Sequence, residues 1–169
     1  GKANLQGATF SGANLSGAIL EAADIRGASF AGAKLLGADL RSADGGAKGT
    51  HIFRRGVDFR GADLTGAVAY AANFAGADMR GAVLTGAEFN DAGLRQADLS
   101  SVQAENVKLG GTSLTGARLD RADLRGARMG TNTNWGAASL VGVDLRHAQV
   151  GGDFNSANLT GADMREASV

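Results

Sequence analysis

The sequence predicts an all-β solenoid that forms a single domain over residues 1–169. Large apolar residues recur at every fifth position for most of the chain, and alanine usually stands two positions before each of them. Glycine is abundant, with 27 residues, while proline and cysteine are absent. These observations exclude collagen, a disulfide scaffold and a thiolate metal site, and they indicate a short structural repeat.

The five-residue period runs from Leu5 to Leu40 and resumes from Phe59 to Met129. With the later positions there are 31 central residues, and 29 of them are large and apolar. A helix needs a period of about 3.6 and is penalised by glycine, and a flat strand would send successive central residues to opposite faces. We therefore expect a corner in each pentapeptide, so that the central residue and the preceding alanine both point inward and successive coils stack.

The units ANLQG, ANLSG, ADLRS, ADLTG, ADMRG and ADLRG resemble the A(D/N)LXX signature of the pentapeptide-repeat family, and the resemblance covers nearly the whole chain. It implies a right-handed quadrilateral β-helix with about 20 residues per coil and about eight coils. At ~4.8 Å per coil, the rod would be on the order of 40 Å long. Phe10 and Phe30 are then expected to stack one above the other.

The period is interrupted at residues 44–56, which read DGGAKGTHIFRRG. The step from Leu40 to Phe59 is 19 residues, one short of the coil that the resemblance implies. Two interpretations remain open: a distorted coil with Phe53 turned inward, or a loop that leaves a closed stack. A phosphate-binding loop is not expected, because a glycine separates the lysine from the threonine.

Two smaller irregularities follow, at 129–135 (MGTNTNW), which has one extra residue, and at 150–154 (VGGDF), which has one residue too few. The first predicts a corner rich in threonine and asparagine with Trp135 packed inside, the alternative being an exposed Trp135 used for contact. The second predicts a tightened glycine corner. Tyr70, which follows the small central residue Ala69, is expected to be exposed.

The formal net charge is +0, from 17 basic and 17 acidic residues, so charge gives no reason to expect direct nucleic-acid binding. Seven units place an aspartate before and an arginine after the central residue: Asp24/Arg26, Asp39/Arg41, Asp58/Arg60, Asp78/Arg80, Asp123/Arg125, Asp144/Arg146 and Asp163/Arg165. Each pair should meet on one face, and the last three should form neighbouring columns. They are either a neutralised, solvated surface or a binding stripe.

The sequence offers little for catalysis, because its two histidines, His51 and His147, have no nucleophile or metal-ligand spacing around them. We expect no enzyme activity and no cofactor. No apolar run is long enough to span a membrane and no signal peptide is recognised, so the default expectation is a cytoplasmic protein without membrane contact.

Two functions remain as hypotheses. The first is a non-catalytic scaffold that binds an unidentified protein partner through His51, Ile52, Arg54 and Arg55 of the interruption. The arginines that follow the central residues of the last three pairs are further candidates for contact with this partner: Arg125, Arg146 and Arg165.

The second hypothesis comes from the family resemblance, since several bacterial members mimic DNA, bind DNA gyrase and protect it from quinolones. Residues 114–142 are similar to the later repeats of one such member. A DNA mimic needs a strongly negative surface, however, and this chain is neutral. A continuous acidic face would favour mimicry, and alternating charges would favour the scaffold.

Neither end of the sequence resembles a cap, and exposed coil edges invite pairing. We therefore expect either an end-to-end homodimer or a chain that is part of a longer protein.

Overall fold

The structure is a computed structural model that describes residues 2–47 and 56–169. Within these ranges the backbone contains no helix, and its sheets consist of isolated parallel bridges between residues of successive coils. The bridges form four columns, which begin with the pairs Asn4–Asp24, Thr9–Ser29, Asn14–Lys34 and Ile19–Asp39.

Each column marks one face of the solenoid, and we call these faces 1 to 4 in that order. Each face is crossed eight times, so the described residues build eight coils. The coils span 3–22, 23–42, 43–71, 72–91, 92–111, 112–132, 133–151 and 152–169. The predicted right-handed quadrilateral β-helix is confirmed.

The corners are tight turns that repeat in every regular pentapeptide. The Ala8 N–H donates to the Leu5 carbonyl over 3.0 Å, which closes the turn. The Leu5 N–H donates to the backbone carbonyl of Asp24 in the next coil over 2.8 Å. The second residue after the centre has a positive φ, as at Gly7 (65°), and glycine adopts this conformation without a steric penalty. This requirement explains why glycine usually ends the repeat.

The core consists of stacked central residues and the alanines that precede them. Phe30 and Phe59 are fully buried, and the ring of Phe30 stacks on Phe10 at 5.0 Å and on Phe59 at 5.3 Å. The expected stacking of Phe10 on Phe30 is confirmed. Central residues of the first and last coils, such as Phe10 and Phe154, are half-buried.

The interruption is an insertion into an otherwise closed coil. Asp44 bridges Asp24 on face 1, and Asp58 bridges Ser29 on face 2, so consecutive bridge residues are 14 positions apart where the repeat has five. The Val57 N–H donates to the Gly45 carbonyl over 2.7 Å, which is the usual corner bond with nine extra residues between its ends.

This geometry corrects the interpretation of the step from Leu40 to Phe59 as almost a full coil. The two residues lie on faces 4 and 2, and Gly45 is the intermediate central residue. A Cβ at Gly45 would lie 2.7 Å from Cγ1 of Val57, because the valine fills the space of the missing side chain. Of the two interpretations, the described residues fit the closed stack; Phe53 lies outside them.

The two later irregularities share the corner between faces 4 and 1, in successive coils. The longer corner precedes Trp135, which is fully buried, stacks on Phe154 at 5.3 Å and donates its indole N–H to Gly151 over 3.1 Å. The expected internal position of Trp135 is thus confirmed. In the shorter corner Gly152 has φ 113°, and a Cβ there would lie 2.1 Å from the Thr133 carbonyl oxygen, so the tightened glycine corner is also confirmed.

Candidate interaction surfaces

The insertion lies between Ala47 and Val57, at the corner between faces 1 and 2 of the third coil. Ala47 still makes the regular inter-coil bond, donating its N–H to the Ala75 carbonyl over 2.8 Å, and Val57 resumes the repeat. The extra residues are therefore 48–56. The predicted contact residues His51, Ile52, Arg54 and Arg55 lie outside the described residues.

A cleft of about 510 Å³ lies on face 2 beside the point where the insertion returns to the solenoid. Its lining includes glycines at positions 27, 56 and 76 along the corner between faces 1 and 2, and Arg60 and Arg80 further along the chain. The carboxylates of Asp58, Asp78 and Asp98 alternate with these guanidinium groups.

All seven Asp-x-Arg units pair as expected, and they share one geometry. In the unit of Asp123 and Arg125, Nε donates to Oδ1 over 2.8 Å and Nη2 donates to Oδ2 over 2.7 Å. The backbone N–H of Arg125 adds a bond of 3.2 Å to the same carboxylate. This bidentate arrangement uses two of the guanidinium donors within the pentapeptide itself.

The predicted contact residues Arg125, Arg146 and Arg165 lie above one another on face 3, because Asp123, Asp144 and Asp163 form successive bridges there. Besides its own aspartate, each of the first two arginines approaches the aspartate of the next coil. Nε of Arg125 lies 3.9 Å from Asp144, and Nε of Arg146 lies 3.7 Å from Asp163. The columns form a continuous zipper of alternating charge.

The zipper holds its carboxylates ionised. The hydrogen bond from the Arg125 side chain keeps the pKa of Asp123 below its usual value, and the bonds from Arg165 lower the pKa of Asp163 to about 2. Both groups therefore stay charged throughout the physiological pH range. Face 3 presents fixed, paired charges to any partner.

The aromatic residues outside the ladders differ in exposure. Tyr70 is 50% exposed on face 4, as expected, whereas Trp135 lies inside and offers no surface for contact. His147 Nδ1 lies 3.1 Å from Glu166, and both side chains are mostly exposed. Among the described residues, no three histidine, cysteine or acidic side chains are grouped for metal binding, and none belongs to a helix that could cross a membrane.

Sequence reasoning missed two features. Thr112 and Thr133 take the place of inward alanines and are buried. Their hydroxyls donate to backbone carbonyls 23 and 24 residues earlier in the chain, at Phe89 (2.8 Å) and Leu109 (2.9 Å). The unit of Arg118 and Asp120 also reverses the usual charge order. The reversed order was visible in the sequence, but its consequence depends on the neighbouring coil.

Comparison with known proteins gives one family and several structures. The profile described as "Pentapeptide repeats" matches residues 3–41, 55–79, 62–100 and 97–130, in 8 copies. A search of curated protein sequences finds no match.

Two of the similar solved structures have TM-scores above 0.6. One is trypsin-treated QnrB1, a plasmid-mediated fluoroquinolone resistance protein, with a TM-score of 0.64, 20% identity and coverage of 98% of this chain and 83% of that one. The other is the pentapeptide repeat protein Rfr23 from the cyanobacterium Cyanothece 51142, with a TM-score of 0.63, 20% identity and coverage of 83% and 90%. At this identity the two structures support the fold alone.

Proposed function

This chain belongs to the pentapeptide-repeat family, and on that basis we propose that it is a non-catalytic scaffold that binds a protein partner. A stack of coils with a continuous apolar core is rigid, and it holds exposed side chains at fixed spacings. Such a surface suits recognition of another protein, since binding residues concentrate on irregular segments carried by rigid scaffolds.

The observation that carries this proposal is the insertion of residues 48–56 into a coil that closes without it. The stack does not need these residues for its regular hydrogen bonds, so the fold alone gives no reason for their presence. We assign partner binding to His51, Ile52, Arg54 and Arg55 of this segment, whose basic residues would suit an acidic patch on the partner.

Arg125, Arg146 and Arg165 are proposed as a secondary contact stripe on face 3. Their guanidinium groups are already bidentate with aspartates, so they would contribute orientation more than affinity. A partner with an alternating charge pattern would fit this stripe better than a purely acidic one.

The alternative is a DNA mimic that binds DNA gyrase, and the fold that this chain shares with QnrB1 keeps it testable. The charge pattern of the described faces supports the scaffold instead. On faces 2 and 3 the aspartates that bridge successive coils are interleaved with arginines, so these faces alternate in sign. A continuous acidic face, which mimicry would need, is not what these columns present.

The scaffold proposal can be tested with a variant that lacks residues 48–56 and carries Ala47→Gly. This variant restores five-residue spacing between Gly45 and Phe59, and the glycine suits the corner, so we expect it to fold with an unchanged circular dichroism spectrum. Both proteins would be immobilised and exposed to an extract of the source organism. A protein that binds the wild type and not the deletion variant supports the proposal; identical sets of bound proteins contradict it.

The alternative can be tested with purified DNA gyrase in a supercoiling assay, with and without a fluoroquinolone. Inhibition or drug protection at near-stoichiometric protein would favour the gyrase-binding function and contradict the charge argument. No effect at a large excess of this protein over gyrase would leave the scaffold as the proposed function.

Two further predictions concern the assembly and location of this scaffold. An end-to-end homodimer predicts twice the monomer mass in light scattering of the 17.0 kDa chain, and a concentration-independent monomer would contradict it.

A cytoplasmic location predicts recovery in the soluble cytoplasmic fraction of the cells, and recovery elsewhere would exclude it.

A further inference from the structure

The pentapeptide that reverses the charge order leaves guanidinium donors unused. In the Asp-x-Arg units Nε and Nη2 both bind the aspartate, whereas Arg118 donates only from Nη2, to Asp120 over 3.2 Å. Asp120 instead accepts hydrogen bonds from the Ser139 hydroxyl and the Val141 N–H of the next coil. Nε and Nη1 of Arg118 have no hydrogen-bond partner among the described residues, and 62% of the side chain is exposed.

A second guanidinium lies at the following corner. Arg121 is exposed and makes no side-chain hydrogen bond or ion pair with residues that the structure describes. Its backbone has φ 59°, a left-handed conformation that favours glycine. Arginine in this conformation costs stability that glycine would not, as it does at the other corners with a non-glycine residue at positive φ.

The two arginines line one concavity of about 320 Å³ on the edge between faces 2 and 3. Its lining consists of Ser100, Ser101, Arg118, Asp120, Arg121 and Val141. Asp120 accepts three hydrogen bonds, which keep its pKa below the usual value. The Ser100 hydroxyl already donates its proton to Asp98 over 2.6 Å. The unused groups are mainly donors, from Arg118, Arg121 and the Ser101 hydroxyl.

We propose that this concavity binds a phosphate-type oxyanion, either free or as the phosphoryl group of a modified partner. A tetrahedral dianion accepts several hydrogen bonds at once, and paired guanidinium groups recognise it through short charge-assisted bonds. The site lies three coils from the insertion and does not depend on the scaffold function.

The test uses the intact chain with ¹⁵N-labelled arginine, titrated with inorganic phosphate at pH 7.5 and constant ionic strength. We expect saturable shifts of the Nε–Hε signals of Arg118 and Arg121, and little change at Arg41. Arg121→Gly should weaken phosphate binding about tenfold, as expected for the loss of one charge-assisted partner. It should also raise the thermal midpoint, because glycine relieves the left-handed corner.

Arg41→Gln is the matched control, since it removes an arginine that is already bidentate with Asp39. Unchanged phosphate affinity in this variant, with weakened affinity in Arg121→Gly, supports the site. Equal, non-saturating shifts at all three arginines, or unchanged affinity in Arg121→Gly, would overturn it. A phosphoserine peptide that binds more tightly than phosphate would identify a modified protein as the source; tighter binding of phosphate would identify the free ion.

Discussion

At the scale of the residue, backbone conformation at the corners decides which side chains the repeat tolerates. Twelve described corners have a residue other than glycine at positive φ: Ala22, Ser42, Ala71, Asp91, Gln96, Ser101, Asn106, Arg121, Ala137, His147, Ser156 and Glu166. Each of these residues has a steric cost in the left-handed conformation that glycine does not have, because glycine lacks a Cβ. Glycine thus lowers the strain of a corner without being obligatory for the fold.

The penalty can be measured at neighbouring corners of the third coil. Gly66 has φ 64°, and an added Cβ would meet no atom within 4 Å, so Gly66→Ala tests backbone strain without a clash. We expect it to reduce the free energy of unfolding by about 1 kcal/mol, and Ala71→Gly to increase it by a similar amount. Urea denaturation checks both, and changes of the same sign would contradict the argument.

At the scale of the element, a larger residue at one inward position of a pentapeptide can offset a smaller residue at the other inward position. Ala104 leaves a small central position between Leu84 and Leu124, and the preceding inward position holds Val102 in place of the usual alanine. The compensation is incomplete, because an apolar cavity of about 10 Å³ remains beside Ala104. The unit keeps most of its volume while departing from the repeat pattern.

Two variants test whether these two positions share volume. Val102→Ala removes two buried methyl groups next to this cavity and should lower the free energy of unfolding by about 2 kcal/mol. Adding Ala104→Leu to that variant restores the usual pattern of alanine and leucine, and should recover most of the loss. Chemical denaturation of the two variants provides the measurement; a double variant no more stable than Val102→Ala would show that the positions do not share volume.

The charged zipper of face 3 predicts how an aspartate titrates. Asp163 has a pKa of about 2 in the folded chain, mainly because Arg165 donates to it. Since the folded pKa lies below the unfolded value of about 3.9, its contribution to stability is complete above pH 4 and is lost as the pH falls towards 2.

Carbon-13 NMR of the Asp163 carboxyl should therefore give a midpoint near pH 2. Arg165→Gln should raise that midpoint markedly, because it removes the main cause of the low pKa. Arg146→Gln, which removes only a minor cause, should raise it less. Equal shifts in the two variants would mean that the zipper acts through its overall field and not through the paired hydrogen bonds.

At the scale of the whole molecule, stability arises from contacts between adjacent coils. A deletion that removes one complete coil should therefore leave every remaining inward position in place. Deletion of residues 94–113 joins Gly93 to Leu114 in register, and we expect a shorter rod with a cooperative thermal transition. Deletion of residues 94–110 breaks the five-residue spacing and should lose much of the stability. Similar melting temperatures for the two would refute the coil-by-coil account.

The five-residue pattern was sufficient to predict the inward positions, the stacking of Phe10 on Phe30, the internal Trp135 and the Asp-x-Arg pairs. It placed the interruption at 44–56 but could not narrow it to 48–56, because only the backbone hydrogen bonds of Ala47 and Val57 show where the regular coil stops and resumes. The concavity at Arg118 and Arg121 was also beyond prediction, because it depends on where the next coil places Ser139 and Val141.

The sequence by itself determined the repeat, its buried positions and its neutral surface, because each of these depends on residues within one pentapeptide. The tertiary structure decided which units lie above one another, between which residues the regular coil is interrupted and which guanidinium donors remain unused. The physical reason is that these features depend on hydrogen bonds and packing between residues about 20 positions apart or more, across a coil whose length changes with every insertion and deletion.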